Sequence, residues 1–392
     1  MKGVGPGALE LPLALYVHMP WCVRKCPYCD FNSHQLKLPR PDGAYIDALL
    51  RDFDCELPSV AGRRIDTVFF GGGTPSLFAP AEIGRLLSGL RQRIAFAEDA
   101  EITLEANPGT IERGLFADYR EAGINRVSLG AQTFSPAALE RLGRIHTADD
   151  THRAVEELRA GGIDNFNLDL MYALPQQSYD AAITDVMIAC ALQPAHISHY
   201  QLTLEPGTVF YTRPPPLPDD DTAWRMQTDA HALLSAAGYA QYEVSAYARS
   251  GAQCRHNLNY WQFGDYVGIG AGAHGKLTLE PPGAILRTVK PKQPRVFQER
   301  IGGADRAPGA IGERAAIKIT DLPFEFMLNA LRLNEGFAVG LFEARTGLGI
   351  ECVLETLSKE LKRGLIQVTN NGWKPTDLGR RFLNDLQASF LA

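Results

Sequence analysis

The sequence lacks the features that place a protein in a membrane or on a nucleic acid. Its 392 residues contain no apolar run long enough to cross a bilayer as a helix. The formal net charge is −6, which argues against a general binder of nucleic acids or anionic membrane surfaces. Residues 1–11 lack the basic start and the apolar stretch of a secretory signal. We therefore expect a cytoplasmic protein.

Cysteine is also scarce, and an odd total of seven does not fit a complete disulfide framework. Three of the seven, Cys22, Cys26 and Cys29, share one short loop at C-x3-C-x2-C spacing. Thiolates are soft ligands that favour iron–sulfur clusters and zinc. A structural zinc ion takes four protein ligands, so His18, or else Asp30 or His34, would have to be the fourth. A four-iron cluster on three cysteines instead leaves one iron open to an exchangeable ligand.

The chain between residues 13 and 205 alternates apolar strand-like runs with amphipathic helical stretches. The predicted strands are 13–18, 65–70, 101–105, 126–130, 165–171 and 195–204. The predicted helices include 42–57, 80–93, 111–122, 135–142 and 149–160. This alternation predicts an α/β fold with a parallel sheet. The six units fit a partial (β/α)6 barrel, and a doubly wound sheet is the alternative.

Polar residues follow the ends of these strands, where a barrel carries its functional groups. A Gly-Gly-Gly-Thr-Pro turn at 71–75 follows the second strand, and its glycines let a ligand approach exposed backbone N–H groups. Glu105 ends the third strand, and Asp169 interrupts the apolar run of the fifth. These positions predict a ring of side chains around a small polar ligand.

The cysteine motif and the strand ends together resemble the radical S-adenosylmethionine (SAM) proteins. Within them, the chain resembles the group of oxygen-independent coproporphyrinogen dehydrogenases and related heme chaperones. The matching motifs lie at 16–22, 71–75, 105–108, 130–132, 142–144, 167–175 and 205–208. The resemblance implies a [4Fe–4S] cluster on the three cysteines, with SAM on the open iron. It also implies a SAM site formed by Tyr16, Tyr28, Gly72, Gly73, Thr74, Glu105, Gln132, Arg144 and Asp169.

Two departures separate this chain from the dehydrogenases it resembles. Those proteins usually carry a fourth cysteine two residues after the third, where this chain has Phe31. They also carry a longer N-terminal extension, whereas 15 residues precede Tyr16 here. Both differences are features of the chaperone branch, so the resemblance argues against porphyrinogen oxidation as the activity.

The stretch Arg255–Trp261 contains the pattern H-N-x-x-Y-W, which resembles the heme-binding motif of the chaperone branch. An imidazole is a common ligand of heme iron. We therefore expect His256 to bind the iron, with Tyr260 and Trp261 stacked on the macrocycle. A purely structural role, in which these aromatic side chains pin the segment to the barrel, is the alternative.

We predict four parts: a tail at 1–12, a radical SAM core barrel at 13–245, a connecting segment at 246–320 and a C-terminal domain at 321–392. Residues 281–312 are polar and rich in proline and glycine, and they predict a weakly structured loop or lid. The last part predicts helices at 324–333 and 353–363, a hairpin turning at 371–372, and a final helix at 377–390. This order resembles a small winged-helix-like α+β domain.

The leading hypothesis is a heme chaperone that holds heme and passes it to an acceptor protein, with the cluster and SAM serving assembly or switching. The alternative is a radical enzyme, in which the reduced cluster cleaves SAM and the resulting radical abstracts hydrogen from a substrate such as coproporphyrinogen III. The expected partners are heme and an unidentified acceptor protein, without nucleic acid. Peripheral membrane association and a homodimer stay open.

Overall fold

The computed structural model describes residues 11–36, 42–110, 115–279, 283–303 and 311–391. Its strands are β1 (Leu13–Met19), β2 (Trp21–Cys22), β3 (His34–Gln35), β4 (Arg64–Gly72), β5 (Ala95–Ala106), β6 (Arg126–Gln132), β7 (Phe166–Tyr172), β8 (His196–Gln201), β9 (Ala240–Gln241), β10 (Ala246–Ala248), β11 (Asp265–Ile269), β12 (His274–Thr278), β13 (Ile285–Val289), β14 (Glu313–Ala316), β15 (Phe337–Ala338), β16 (Ile366–Val368) and β17 (Gly372–Pro375). Its α-helices are α1 (Asp42–Glu56), α2 (Pro80–Arg91), α3 (Leu115–Ala122), α4 (Pro136–Arg141), α5 (Ala148–Ala160), α6 (Tyr179–Ala191), α7 (Val209–Thr212), α8 (Asp220–Ala236), α9 (Arg255–Trp261), α10 (Pro294–Gly303), α11 (Leu322–Ala330), α12 (Val339–Thr346), α13 (Leu354–Lys362), α14 (Asp377–Arg381) and α15 (Leu383–Ala388).

Twelve strands form one sheet in the order β14-β13-β12-β11-β1-β4-β5-β6-β7-β8-β10-β9. The run from β1 to β8 is parallel and keeps sequence order. These are the six predicted strands, each followed by helix, so the partial (β/α)6 barrel is confirmed. A doubly wound sheet would reverse its strand order within this run, and this run does not.

The two faces of the parallel strands differ in polarity, as side-chain alternation requires. On β6, Val127 and Leu129 are fully buried and belong to the core between the strands and the outer helices. Ser128, between them, faces the barrel interior. The outer faces of the strands therefore hold the helices, and the inner faces are free to carry polar chemistry.

Helix starts follow the capping residues in the sequence. Thr147 caps α5 and forms a reciprocal capping box with Asp150, while Ser135 caps α4. The helix predicted at 111–122 is described from Leu115 onward as α3, and residues 111–114 lie outside the described residues. The helices therefore begin within a few residues of their predicted positions.

The sheet continues beyond the predicted barrel. β11 pairs in parallel with β1, and β12, β13 and β14 extend that edge as an antiparallel meander. The prediction of a loop or lid at 281–312 is therefore wrong for β13 and α10. Two long-range contacts order this segment: buried Lys290 Nζ lies 2.6 Å from Asp52 Oδ1 on α1, and Phe297 packs against Tyr45. The predicted division at residue 245 stays a prediction, since one sheet spans it.

The C-terminal region has its own three-stranded sheet, in the order β15-β17-β16, and packs around a second apolar core. The predicted hairpin is β16 and β17, and the sequence interpretation missed β15 and α12. The single helix predicted at 377–390 is wrong, because the chain breaks between α14 and α15 at Phe382, where φ is −111° and ψ is 39°. The break turns Leu386 into the core while Phe382 stays exposed.

Within the described ranges, no helix combines the length and the apolar character that a bilayer crossing requires.

Candidate functional site

A cavity of about 890 Å³ lies inside the barrel and opens at the C-terminal ends of the parallel strands. The predicted cluster and SAM residues all line it: Tyr16, Cys22, Cys26, Tyr28, Cys29, Gly72, Gly73, Thr74, Glu105, Gln132, Arg144 and Asp169. His256 and Tyr260 line it as well, whereas Trp261 does not. The structure thus gathers residues that are far apart in the sequence into one space.

The three thiols lie on the loop that follows β1 and face this cavity. A polar side chain accompanies each sulfur: Thr74 acts to lower the pKa of Cys22, Arg144 Nη1 lies 3.9 Å from Cys26 Sγ, and Ser33 Oγ lies 3.9 Å from Cys29 Sγ. Burial raises the pKa of Cys22 and of Cys29. Donors to sulfur stabilise the thiolate form that a metal cluster requires and tune the cluster once it is bound. The donor set therefore fits a thiolate-ligated cluster.

The arrangement of the thiols also bears on the zinc alternative. Among the described residues, no three His, Cys, Asp or Glu side chains are gathered so as to hold a single metal ion. In a four-iron cluster each cysteine binds a different iron at a corner of a cube, so the sulfurs need only surround it. The three thiols therefore fit a cluster better than a single zinc ion.

The glycine turn after β4 holds the cysteine loop instead of presenting free donors. Its backbone N–H groups are already used: Gly72 N donates to Glu105 Oε2 (3.1 Å), Gly73 N to Met19 O (2.7 Å), and Thr74 N to Trp21 O (2.8 Å). The expectation that this turn offers exposed N–H groups to a ligand is wrong for these three residues. Gly73 is required by close approach, because a Cβ there would lie 2.5 Å from Trp21 O.

Two buried carboxyl groups, Glu105 on β5 and Asp169 on β7, line the barrel interior on either side of β6. Burial, together with the charge of Asp169, raises the pKa of Glu105 to about 8. Burial also raises the pKa of Asp169, although hydrogen bonds from Asn167 Nδ2 (2.7 Å) and Ser128 Oγ (3.1 Å) oppose the shift. At neutral pH Glu105 is therefore mostly protonated. The pair presents one hydrogen-bond donor and several acceptors, which suits the hydroxyl and amino groups of a polar ligand.

Gln132 and Arg144 also line the cavity. Gln132 ends β6 with a φ of 68°, and its Oε1 accepts a hydrogen bond from Tyr200 Oη at 2.8 Å. Arg144 Nη2 donates to Gly130 O at 2.7 Å, while its Nε has no partner among the described residues. A guanidinium held in this way retains the capacity to pair with a carboxylate.

The H-N-x-x-Y-W motif forms α9 beneath the cavity. His256 is 1% exposed and stacks on Phe69, with ring centroids 5.0 Å apart. Its Nδ1 lies 2.9 Å from Thr67 Oγ1 and its Nε2 lies 3.2 Å from Tyr260 Oη. Both ring nitrogens are thus engaged, and ligation of iron by His256 requires one of these hydrogen bonds to break. Burial lowers the pKa of His256 to about 3.

Trp261, the last residue of the motif, lies against the guanidinium of Arg332, whose Cζ is 4.2 Å from the ring centroid. Arg332 in turn donates to Glu243 Oε2 at 3.0 Å. This stack joins α9 to the C-terminal region. Trp261 does not line the barrel cavity, and its stacking on a macrocycle stays a prediction.

The barrel interior contains further polar residues that the sequence interpretation missed: Arg126, Ser128, Asn167, His196, Ser198 and Tyr200. Arg126 is 2% exposed, and its Nε has no hydrogen-bond partner within the described part of the chain. The signal for these residues was present, because polar side chains recur at every second position of β6, β7 and β8.

Two known families match separate parts of the chain. The description "Radical SAM superfamily" applies to residues 16–186, and "HemN C-terminal domain" applies to residues 319–382. The structure is similar to that of coproporphyrinogen III oxidase (HemN) from Escherichia coli, with a TM-score of 0.81 over 97% of this chain and 90% of that chain. The two sequences are 23% identical, so this similarity shows the fold alone.

Three relatives share much more of the sequence. The chain is 49% identical over 381 residues to "Heme chaperone HemW" of Escherichia coli, covering 97% of this chain and 98% of the relative. It is 47% identical to the protein of that name from Haemophilus influenzae, covering 97% and 98%, and 35% identical to the one from Mycobacterium tuberculosis, covering 88% and 87%. The chain therefore belongs to the HemW family of the radical SAM superfamily.

Proposed function

We propose that this protein binds heme and passes it to an acceptor protein, and that it carries a [4Fe–4S] cluster with exchangeable SAM. The observation that carries the proposal is 49% identity, over 97% of the chain, to a protein named as a heme chaperone. The cavity supports the cofactor part, because thiols and polar side chains of the required kinds line one space.

Cys22, Cys26 and Cys29 would hold the cluster, which supplies an open iron and one-electron chemistry when bound. The chain's own contribution is to seat the thiolates. Arg144 directs a donor at Cys26, Thr74 favours the thiolate of Cys22, and all three cysteines are half-buried.

The SAM site would occupy the remaining walls of the cavity. Arg144 suits the ligand's carboxylate, because its guanidinium is held by one carbonyl and has an unpaired Nε. Glu105 and Asp169 suit its amino or ribose hydroxyl groups, and Tyr16, Tyr28 and the turn residues Gly72 and Gly73 would enclose it.

Heme binding is tested by titrating the anaerobically reconstituted protein with hemin and recording the absorption spectrum. We expect a saturable Soret band at one equivalent per site. The acceptor step is tested by adding apo-forms of heme proteins from the same organism and following the transfer of the band. Absence of any saturable Soret change would contradict the proposal.

The radical enzyme remains the second candidate, because the full set of predicted SAM residues lines the cavity. Phe31 at the position of the dehydrogenases' fourth cysteine speaks against it. An anaerobic assay of coproporphyrinogen III oxidation with SAM and a reductant separates the two. We expect no turnover. Turnover that is lost in the Cys26→Ala variant would reverse the ranking.

A further inference from the structure

A second cleft, of about 590 Å³, opens beside the barrel cavity, between the cysteine loop and the turn that joins β11 to β12. Tyr16, Gly72, Glu105 and Tyr260 line both spaces. The cleft therefore adjoins the candidate cluster site.

Hydrogen bonds between side chains of one wall and backbone carbonyls of the other join the two walls of this cleft. Asn32 Nδ2, on the cysteine loop, donates to Ala271 O and to Lys292 O, each at 2.9 Å. His34 Nε2 lies 3.2 Å from the same carbonyl of Lys292. Because these contacts join segments more than two hundred residues apart, the cleft is formed before any ligand enters.

The cleft offers aromatic surface along one side and at its rim. The rings of Tyr260 and Tyr266 pack edge to face, with centroids 4.4 Å apart. Phe31, a large apolar side chain on the cysteine loop, is 58% exposed at the rim. Exposed aromatic surface next to a preformed cleft is typical of sites for flat apolar ligands.

Three histidines line the cleft, and one of them, His274, makes no side-chain hydrogen bond among the described residues. Both ring nitrogens of His18 are engaged, by Tyr16 Oη and Asn32 O, and His34 contacts the Lys292 carbonyl. His274 is exposed, and its imidazole has no hydrogen-bond partner among the described residues. Desolvation, assisted by the charges of Lys292 and Arg287, lowers the pKa of His274. A neutral imidazole is the form that binds heme iron.

Two lysines place positive charge at the same opening. The side chain of Lys292 is exposed at the cleft. Lys25 Nζ donates to the carbonyl of Phe31 at 3.0 Å, which holds its charge near the rim. The acidic residues that line the cleft are Asp30 and Glu105. A macrocycle with ionised carboxylates at one edge would find cationic partners here.

We propose that heme docks in this cleft, with His274 as an axial ligand of the iron and Lys292 paired with a propionate. This inference rests on the proposed heme-binding function and assigns its site. His274 is preferred to His256 because the ring nitrogens of His256 are already bonded inside the barrel. An open cleft also leaves one edge of the macrocycle accessible, which a protein that hands its cargo to an acceptor requires.

The test compares hemin with metal-free protoporphyrin IX on the full-length protein. The variants are His274→Ala and Lys292→Gln. The matched controls are His231→Ala, an exposed histidine on α8, and Lys362→Gln, an exposed lysine at the end of α13. Far-UV circular dichroism and iron–sulfur content report whether each variant keeps the fold.

We expect His274→Ala to shift the Soret band and to weaken hemin binding at least about tenfold, since loss of even an outer-shell partner of a metal ligand costs that much. Its affinity for metal-free protoporphyrin should be unchanged, because that ligand has no iron to coordinate. Lys292→Gln should weaken both ligands by roughly two- to fivefold, as expected for an exposed ion pair.

Each outcome separates this inference from the proposed function. A wild-type protein that binds no hemin would contradict the proposed function itself. Wild-type binding with an unchanged band and affinity in His274→Ala would overturn the cleft assignment alone. So would loss of the band in His256→Ala but not in His274→Ala, which would place the iron inside the barrel.

Discussion

At the residue scale, the barrel interior sets protonation states that the sequence does not show. Glu105 lies among buried groups, receives one backbone N–H from Gly72 at 3.1 Å, and faces the charge of Asp169. Burial is the main reason why its pKa rises to about 8. Clustered groups with shifted pKa values are typical of binding sites. Glu105 is therefore a candidate ligand-binding group, and its ionisation in the absence of a ligand destabilises the folded protein.

The first prediction concerns Glu105→Gln in the metal-free protein. A carboxyl with a raised folded-state pKa binds its proton more tightly when folded, so its contribution to stability is present at low pH and is lost as pH rises towards about 8. The loss is about 1.4 kcal/mol for each unit of pKa difference. We expect the melting temperature of the wild type to fall more steeply than that of the variant between about pH 5 and about pH 8.

The control for this experiment is Glu98→Gln, since Glu98 is an exposed carboxylate on the same strand, β5. Its pH profile should run parallel to that of the wild type. A parallel profile for Glu105→Gln as well would show that Glu105 ionises normally in the folded protein.

At the element scale, the site depends on loops and strands that hold one another through backbone contacts. The glycine turn forms backbone hydrogen bonds with the start of the cysteine loop, and β11 pairs in parallel with β1. The turn cannot shift relative to the cysteine loop, because backbone atoms pack directly against backbone atoms there. Strand β11 is fixed by a buried ion pair between Asp265 and Lys276. Substitutions at these two contacts should therefore disturb the site indirectly, through the elements that support it.

The second prediction concerns Gly73→Ala. The added Cβ would meet Trp21 O at 2.5 Å and Met19 O at 2.8 Å, so the cysteine loop must move away from the turn. We expect a large loss of iron and acid-labile sulfide after reconstitution. Gly340→Ala is the control, because no heavy atom lies within 4 Å of a Cβ at that position. Full iron content in Gly73→Ala would show that the loop contact is dispensable.

The third prediction concerns Asp265→Ala on β11. Asp265 accepts hydrogen bonds from Arg63 Nη1 (2.8 Å), Lys276 Nζ (3.0 Å) and Thr278 N (2.9 Å), and the Lys276 side chain is 1% exposed. Removing the carboxylate leaves a buried ammonium without its counter-charge, which costs about 3–5 kcal/mol. Chemical denaturation measures the loss. The exposed pair of Asp47 and Arg85 is the control, and Asp47→Ala should cost less than about 1 kcal/mol.

At the scale of the whole molecule, the C-terminal region supports the wall of the cavity from outside. Its core includes Phe263, which follows α9, and Ile285 of β13, so barrel elements and C-terminal helices share one apolar cluster. Phe326 of α11 is fully buried at its centre, against Phe263, Phe337 and Phe342. The segment that carries His256 is thus held from both sides.

The fourth prediction concerns Phe326→Ala. Emptying this position should destabilise the protein by about 3–5 kcal/mol, through lost burial and the cavity left behind. Limited proteolysis should then cut first between the barrel and the C-terminal region. Phe382→Ala, at a site that is 48% exposed, is the control and should behave like the wild type. Equal denaturation midpoints for the two variants would contradict the shared core.

Much of the fold follows from local patterns. The six parallel strands and their helices repeat the alternation of apolar runs, and caps such as Thr147 mark where helices begin. The extension of the sheet was not predicted, because β13 is short and is ordered by partners elsewhere, among them Lys290 with Asp52. The break at Phe382 has the same origin, since packing of Leu386 outweighs the helical pattern of the segment.

The sequence by itself determined the fold class and the cysteine motif, because strand periodicity and motif spacing act over short stretches of chain. The resemblance to radical SAM proteins supplied a set of candidate residues that line the cavity. Only the tertiary structure decided what those residues do. In the folded protein the N–H groups of the glycine turn are hydrogen-bonded, and burial raises the pKa of Glu105. His256 is hydrogen-bonded to Thr67, 189 residues away in the sequence, whereas His274 is exposed at the surface. The physical reason is that hydrogen bonding and desolvation depend on which groups meet in space, and these meetings join distant parts of the chain.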